Sequence, residues 1–105
     1  MNDPPDACLT VTAVSDGACT RVSASGEIDV STASQLHHHV DLALDTGCDV
    51  ELDYSGVTFI DSIGVSSLLI PRQRADARER SIRLVATSAP VDRVLELCGL
   101  AQHFQ

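Results

Sequence analysis

Short stretches in which apolar and polar residues alternate predict four β-strands along the chain. The first is expected at about residues 9–14, where apolar side chains alternate with threonines. Asp16-Gly17 then predicts a turn into a second strand at about 19–25. Two further strands are expected at about 49–53 and 81–86, each next to segments with a helical pattern.

Apolar residues spaced three and four positions apart predict helices between and after these strands. Ser31 or Thr32 can cap the first helix, and Gly47 should end it. The last helix should begin at Pro90 and end at Gly99. The buried stripe of the first helix is expected to contain Ala33, Leu36, Val40, and Ala43 or Leu44.

The segment SGVTFIDSIGV at residues 55–65 joins a strand to a third helix around an acidic residue and a hydroxyl. Asp61 or Ser62 can cap the helix that follows. Pro71 should kink or break this helix, because a proline inside a helix removes one backbone hydrogen bond and costs about 3 kcal/mol. The predicted core contains Leu52, Val65, Leu68, Leu69, Leu84, Val94 and Leu95.

This order of elements predicts one α/β domain. A β-hairpin followed by alternating helices and strands implies a mixed β-sheet of four to five strands, with helices packed mainly on one face. A chain of 105 residues is long enough for one hydrophobic core. Residues 1–7, which contain two prolines, are expected to form a disordered leader, and residues 8–105 the single domain.

Charge divides the chain into two parts and restricts the classes of partner. Residues 1–61 carry 11 acidic residues and one arginine, whereas residues 62–105 carry six arginines and four acidic residues, which gives the net charge of −8. A protein this acidic is repelled by nucleic acid and by anionic lipid, so the expected partner is a protein and neither DNA nor a membrane. The arginine-rich segment 72–80 is either a solvated helix face or a basic edge that meets an acidic partner.

The sequence lacks the signals of export. No apolar run approaches the roughly 20 residues that are needed to cross a bilayer. The first residues also lack the basic start and apolar stretch of a secretion signal. We therefore expect a cytoplasmic protein.

Residue patterns typical of catalysis and of metal binding are missing from the sequence. The four cysteines have no CxxC spacing, and the consecutive histidines at 37–39 cannot converge on one ion, because neighbouring helical residues point about 100° apart. There is no Ser/His/Asp order, glycine-rich phosphate loop or paired-carboxylate pattern. We therefore expect no enzyme activity, no cofactor and no metal site.

Phe59-Ile60, followed by Asp61-Ser62-Ile63-Gly64, is similar to the apolar pair and Asp-Ser-Ser/Thr-Gly signature of the STAS domain, specifically of bacterial anti-sigma factor antagonists. Gly26-Glu-Ile-Asp29 resembles the segment that leads into the first helix of that family. The resemblance covers about residues 9–104 and implies the STAS fold. It also implies a protein that binds an anti-sigma factor of the serine-kinase type, releases a sigma factor and so regulates transcription. The family normally continues through a further strand and a C-terminal helix, so that helix is either missing or trimmed here.

The resemblance also implies which residues bind the partner. These are Glu27, Asp29, Asp61, Ser62, Ile63, Gly64 and Ser66. The family usually carries its phosphorylated hydroxyl on the second residue after the aspartate, here Ile63, although some members use the first, here Ser62. If the first position is the acceptor, a partner kinase can switch the protein and a serine phosphatase can reverse the switch. If it is the second, the alternative is a non-catalytic scaffold subunit of a stress-signalling assembly that phosphorylation does not control.

Overall fold

The computed structural model describes residues 9–61 and 66–97, and for residues 66–69 it describes the backbone alone. The leader expected at 1–7 and the helix end expected at Gly99 lie outside these ranges. No helix in the described ranges is long and apolar enough to span a membrane. The elements follow one another as β1 (Leu9–Ser15), β2 (Cys19–Ile28), α1 (Ala33–Asp45), β3 (Asp49–Ile60), α2 (Ser66–Ala77), β4 (Ile82–Ala86) and α3 (Ala89–Leu97).

The four strands form one mixed sheet in the order β1-β2-β3-β4, which confirms the expected α/β fold. β1 and β2 pair antiparallel as a hairpin, whereas β2 with β3, and β3 with β4, pair parallel. A hairpin needs only a tight turn, but a parallel neighbour must be reached through a crossover. α1 and α2 are the helices of these two crossovers.

Asp16 organises the turn of the leading hairpin. Its backbone N–H donates to the carbonyl of Cys19 at 3.1 Å, and its carboxylate accepts from the N–H groups of Ala18 at 3.0 Å and Cys19 at 2.9 Å. The amide of Cys19 is the main cause that lowers the pKa of Asp16. Gly17 has a φ of 98°, which glycine adopts without steric cost. Ser15 consequently faces Thr20 in the first rung of the ladder.

The three described helices contribute to a single hydrophobic core on one face of the sheet. The strands contribute chiefly Val22, Ala24, Ile28, Val50, Leu52, Tyr54, Val57 and Ile60. The helices contribute Leu36, Val40, Ala43 and Leu44 from α1, Ala75 from α2, and Val91 and Leu95 from α3. Because one continuous cluster joins all of them, the prediction that helices pack mainly on one face agrees with the structure.

The predicted core residues have three outcomes. Leu52 and Leu95 are buried, as predicted. Leu84 and Val94 are only partly buried, at the margin of the core. Val65 and the side chains of Leu68 and Leu69 lie outside the described residues, so their place in the core stays a prediction.

The opposite face of the sheet is polar and is not covered by the described helices. Glu51 lies in the middle of this face, where it accepts hydrogen bonds from Arg21 at 3.1 Å and from Arg83 at 3.0 Å. The bond from Arg21 is the main cause that lowers the pKa of Glu51, and the bond from Arg83 acts in the same direction. Neighbouring strand residues point to opposite faces, so Val22 and Leu52, next to Arg21 and Glu51, point towards the helices.

α2 runs through Pro71 without interruption, so the break is absent, whereas the alternative of a kink stays a prediction. The expectation rested on the hydrogen bond that proline cannot make. Pro71 is fully buried, however, and removing its ring from water offsets part of that loss. Packing therefore overrides the local preference at this position.

Two arginines of the basic segment hold α2 against α1. Arg74 forms an ion pair with Asp41, and Arg78 bonds to Asp45 at 3.0 Å. Arg78 also lies 3.9 Å from Asp41. Both arginines are half-buried and paired within the protein, whereas Arg72, Gln73, Asp76, Glu79 and Arg80 are exposed, as the solvated-face interpretation predicts. The basic-edge interpretation stays a prediction.

β3 continues to Ile60, although its predicted end was near residue 53. Asp53 pairs with Ser23 and Gly56 with Ser25, so β3 has one more residue than β2 in this interval. The carboxylate of Asp53 accepts from the N–H of Ser55 at 3.0 Å and from its hydroxyl at 2.7 Å. The bulge accommodates Ser55 and Gly56 within the strand. In the sequence this polar pair indicates a strand end, but β3 continues beyond it.

Candidate functional site

The carboxyl ends of β2 and β3 lie side by side because the two strands are parallel. Glu27 pairs with Phe59, and Ile28 pairs with Ile60. The N–H of Asp61 extends this pairing by donating to the carbonyl of Ile28 at 3.4 Å. We call residues 26–30 and 58–61 the β2–β3 edge.

Three of the predicted partner-binding residues meet at the β2–β3 edge. The side chain of Glu27 is exposed, and those of Asp29 and Asp61 are half-buried. Glu27 and Asp29 are far from Asp61 in the sequence, and the parallel pairing of β2 with β3 brings them together. Their carboxyl groups give this end of the sheet an acidic surface, which attracts basic groups of a partner.

Asp29 fixes the loop that leads from β2 into α1. Its Oδ1 accepts hydrogen bonds from the Ser31 hydroxyl at 2.7 Å, the Ser31 N–H at 2.9 Å and the Thr32 N–H at 3.2 Å. The bond from the Ser31 hydroxyl is the main cause that lowers the pKa of Asp29, so this carboxylate is ionised at neutral pH. Within the described residues, the hydrogen bonds that Asp29 accepts all go to Oδ1.

Thr32 is the N-cap residue of α1, but its side chain makes no capping hydrogen bond. Its hydroxyl instead donates to the carbonyl of Glu27 at 2.9 Å and accepts from the N–H of Asp29 at 2.9 Å. The predicted capping position was therefore right at Thr32, whereas the predicted role of its hydroxyl was wrong. Thr32 is buried, and its hydrogen bonds connect the end of β2 to the start of α1. They therefore hold the backbone on this side of the edge in position.

Two exposed apolar side chains lie beside these acidic residues. Phe59 is 47% exposed on the strand position opposite Glu27, and Val30 is 69% exposed directly after Asp29. The sequence pattern did not indicate either residue as part of a site. A signal was available, because Phe59 and Ile60 are consecutive and neighbouring strand residues cannot both enter one core. Ile60 is buried and Phe59 is left exposed.

The β2–β3 edge has the chemistry of a protein-binding surface. Apolar side chains surrounded by charged groups are the usual composition of such surfaces, with aromatic residues enriched among the apolar ones. Across residues 9–61 and 66–97, no group of three or more His, Cys, Asp or Glu is placed to hold a metal ion. Partner binding through the carboxylates of Glu27, Asp29 and Asp61, beside exposed Phe59 and Val30, stays a prediction.

Ser62, Ile63 and Gly64 lie outside the described residues, and so does the side chain of Ser66. Their roles in partner binding and phosphorylation stay predictions. Asp61, the residue that precedes them, is part of the β2–β3 edge, and Ser66 belongs to α2. The predicted site therefore lies between the end of β3 and the start of α2.

Comparisons with known proteins agree with this architecture. The model of the family described as "Mlab, STAS domain" matches residues 11–105. The crystal structure of an anti-sigma factor antagonist from Mycobacterium paratuberculosis is similar to this chain with a TM-score of 0.82 and 27% sequence identity. The similarity covers 98% of this chain and 87% of that one. No curated protein sequence matches the chain.

Two other solved structures share the fold at lower identity. The anti-sigma factor antagonist SpoIIAA in its unphosphorylated form has a TM-score of 0.76 and 18% identity, over 91% of this chain and 86% of its own. An antisigma-factor antagonist STAS domain from Rhodobacter sphaeroides has a TM-score of 0.62 and 16% identity, over 86% of this chain and 95% of its own. These two likenesses establish the fold alone.

Proposed function

The chain belongs to the STAS domain family, and from this membership we propose that it is an anti-sigma factor antagonist. It binds an anti-sigma factor, which frees a sigma factor and thereby regulates transcription without contact between this chain and DNA. The observation that carries the proposal is the similarity to the mycobacterial antagonist over 98% of the chain at 27% identity. The role is one of binding, without an enzymatic step, and its place is the cytoplasm, where bacterial transcription occurs.

The β2–β3 edge supports a protein partner with basic and apolar groups. Phe59 offers an apolar ring at the end of β3, and Glu27 and Asp29 offer carboxylates next to it. Aromatic anchors with charged neighbours contribute much of the binding energy at protein interfaces. By resemblance to the family, the partner is an anti-sigma factor of the serine-kinase type.

Ser62 is the candidate phosphoacceptor, because Ile63 has no hydroxyl to accept a phosphate. A phosphate adds bulk and about −1.5 to −2 charges at neutral pH. Next to Asp61 its bulk would disrupt a fitted contact, and this loss must outweigh the attraction between the added charge and basic groups of the partner. The kinase partner would thus release the phosphorylated protein, and a serine phosphatase would restore binding.

Ile63 also favours a second candidate function. An aliphatic residue at the family's usual acceptor position suits a domain that is never phosphorylated. Such a domain would be a non-catalytic scaffold subunit of a stress-signalling assembly. The two candidates differ in whether binding depends on a kinase and ATP.

The first test is binding to purified anti-sigma factors of the same organism, measured by isothermal titration calorimetry. The wild type should bind one of them, Gly64→Arg should abolish binding, and Asp61→Ala should weaken it less. Ala77→Arg is the matched control, because it adds the same side chain at an exposed position near the end of α2. Circular dichroism should show all variants folded. A wild type that binds none of these proteins would reject the antagonist role.

The second test separates switching from constitutive binding. The protein is incubated with the anti-sigma factor that binds it and with ATP, and its intact mass is then measured. One added phosphate that disappears in Ser62→Ala supports a switch at Ser62. No added phosphate, with binding retained, supports an antagonist or a scaffold that escapes kinase control.

A further inference from the structure

Among the described residues, no strand pairs with the outer side of β1. β1 lies at one end of the sheet, and its sequence LTVTAVS contains no charged residue and no proline. Proteins usually protect such edges with charges, prolines, bulges or short strands, because the free N–H and C=O groups can pair with another chain. The other edge strand, β4, is protected in this way, since it has five residues and carries Arg83.

The hairpin ladder decides which backbone groups of β1 point outward. Residues 16 and 19 form a hydrogen-bonded pair, because the N–H of Asp16 donates to the carbonyl of Cys19. Hydrogen-bonded and non-hydrogen-bonded pairs alternate in an antiparallel ladder, so residues 10, 12 and 14 bond to β2. The N–H and C=O groups of residues 9, 11, 13 and 15 therefore point away from the sheet.

One of these outward groups is already occupied. The side-chain amide of Gln35, on α1, donates to the carbonyl of Leu9 at 3.2 Å. This bond agrees with the outward direction that the ladder assigns to residue 9. Within the described residues, Val11, Ala13 and Ser15 keep their outward backbone groups unpaired.

We propose that two copies of this chain pair antiparallel along β1, with Ala13 facing Ala13 of the second copy across a two-fold axis. Val11 then faces Ser15 of the second copy, and Ser15 faces Val11 of the second copy. Each of the three facing pairs exchanges two backbone bonds, so about six hydrogen bonds join the copies. The two sheets become one continuous sheet, and each copy offers the same surface to the other, as two-fold symmetry requires.

The side chains around this axis favour a second copy as the occupant. Val14, which is 70% exposed, would lie opposite Thr12 of the second copy in a non-hydrogen-bonded pair, where side chains approach most closely. Ala13, at the axis, has the smallest side chain of the strand. No charged residue of β1 would meet its own copy, although the chain has a net charge of −8.

A hollow with both polar and apolar lining residues lies beside the strand. Ala13, Leu42 and Ala43 line a cavity of about 310 Å³ between β1 and α1, and Leu42 is 53% exposed. Because Ala13 belongs both to this cavity and to the two-fold axis, pairing places the second copy next to exposed Leu42. A single strand pair makes a small interface, so the dimer should be weak and reversible. The net charge should make it stronger at higher salt, which screens repulsion between the copies.

Sedimentation equilibrium of the full chain tests the proposal over about 10 to 500 µM, a range in which weak interfaces dissociate. The apparent mass of the wild type should rise from 11.1 kDa towards twice that value. Ala13→Lys should weaken association at least tenfold, because two lysines would face each other at the axis. Ala13→Pro should act in the same direction without added charge, since it removes one outward N–H group. Ala18→Lys in the turn is the matched control and should associate like the wild type.

Amide hydrogen exchange identifies the edge that is used. The amides of Val11, Ala13 and Ser15 should become protected as concentration rises, while circular dichroism shows that the variants keep their fold. A wild type that stays monomeric at 500 µM overturns the proposal. The proposal is also overturned if Ala18→Lys weakens association as much as Ala13→Lys does, because added charge alone would then explain both effects. Protection that is independent of concentration would mean that the edge is covered within one copy, and would also overturn it.

Discussion

Gly56 on β3 lies against Ser25 on β2, and a Cβ added at Gly56 would come within 2.4 Å of the Ser25 hydroxyl oxygen. It would also lie 3.1 Å from the Cβ of Ser25. The contact falls in the bulged part of the β2–β3 ladder. A residue without a side chain thus lets the two strands stay paired through this irregular part up to Ile28 and Ile60, and so brings Asp61 to the β2–β3 edge.

Gly56→Ala should therefore lower the free energy of unfolding by about 1–3 kcal/mol, the usual cost of inserting a methyl group into a packed site. The same change in a Ser25→Ala background should cost less, because the oxygen nearest to the added Cβ is gone. Urea denaturation of the four proteins of this double-mutant cycle measures the difference. Equal costs in both backgrounds would show that the Ser25 hydroxyl is not the obstacle.

Tyr54→Phe should leave stability unchanged or raise it by about 1–2 kcal/mol. The ring of Tyr54 is fully buried, and its hydroxyl has no hydrogen-bond partner in the part of the chain that the structure describes. Burial also raises the pKa of this phenol, so the hydroxyl stays neutral. Urea denaturation is the measurement, with Tyr54→Ala as the comparison, which should lose about 3–5 kcal/mol. A clear loss in Tyr54→Phe would mean that the hydroxyl is bonded after all.

His37 should make the protein less stable as the pH falls below neutrality. Its pKa is lowered from 6.5, first because burial disfavours the charged ring and then because Arg74 repels it, while Asp41 acts in the opposite direction. The unfolded chain therefore binds this proton more readily than the folded one. The contribution of His37 is fully present above pH 6.5 and is lost as the pH falls through its folded pKa.

Urea midpoints measured from about pH 8 to pH 5 check this pH dependence. His37→Gln should reduce the fall of the urea midpoint with pH, because it removes a group that binds a proton more readily in the unfolded chain than in the folded one. His38→Gln is the control, since His38 is exposed on the same helix. The assignment to His37 fails if both variants follow the wild-type curve.

Phe59→Ala should weaken binding to the anti-sigma factor at least tenfold, a loss of about 1.4 kcal/mol or more that is typical of an aromatic anchor. Phe59 is 47% exposed, so its removal should disturb the fold much less than the loss of a core residue. Val85→Ala, at an exposed apolar residue of β4, is the control and should bind like the wild type. Calorimetric titration decides, and wild-type affinity for Phe59→Ala would exclude the end of β3 from the interface.

The strands at the start and near the end of the chain could be predicted well from local pattern. β1 and β4 lie within one residue of their expected bounds, and the turn at Asp16-Gly17 is where the sequence indicated. The helix from Ala33 to Asp45 also buries the expected stripe. Alternation, capping position and turn chemistry are properties of neighbouring residues, so the sequence carries them directly.

The candidate site could be predicted only in part. The sequence selected Glu27, Asp29 and Asp61 by resemblance, and the structure places all three at one edge. It did not predict that Asp29 would hold the turn into α1 through the hydrogen bonds of Ser31 and Thr32. Nor did it select Phe59, whose exposure depends on the exact register of a bulged strand.

The sequence by itself determined the order of the elements, the leading hairpin, the buried stripe of α1 and the family to which the chain belongs. Only the tertiary structure decided that β3 continues past Gly56, that α2 runs through Pro71, and that Asp29 and Asp61 become neighbours. The physical reason is the range of the interactions. Local patterns reflect backbone preferences within a few residues, whereas each of these outcomes depends on contacts between segments far apart in the sequence, which form only when the whole core is packed.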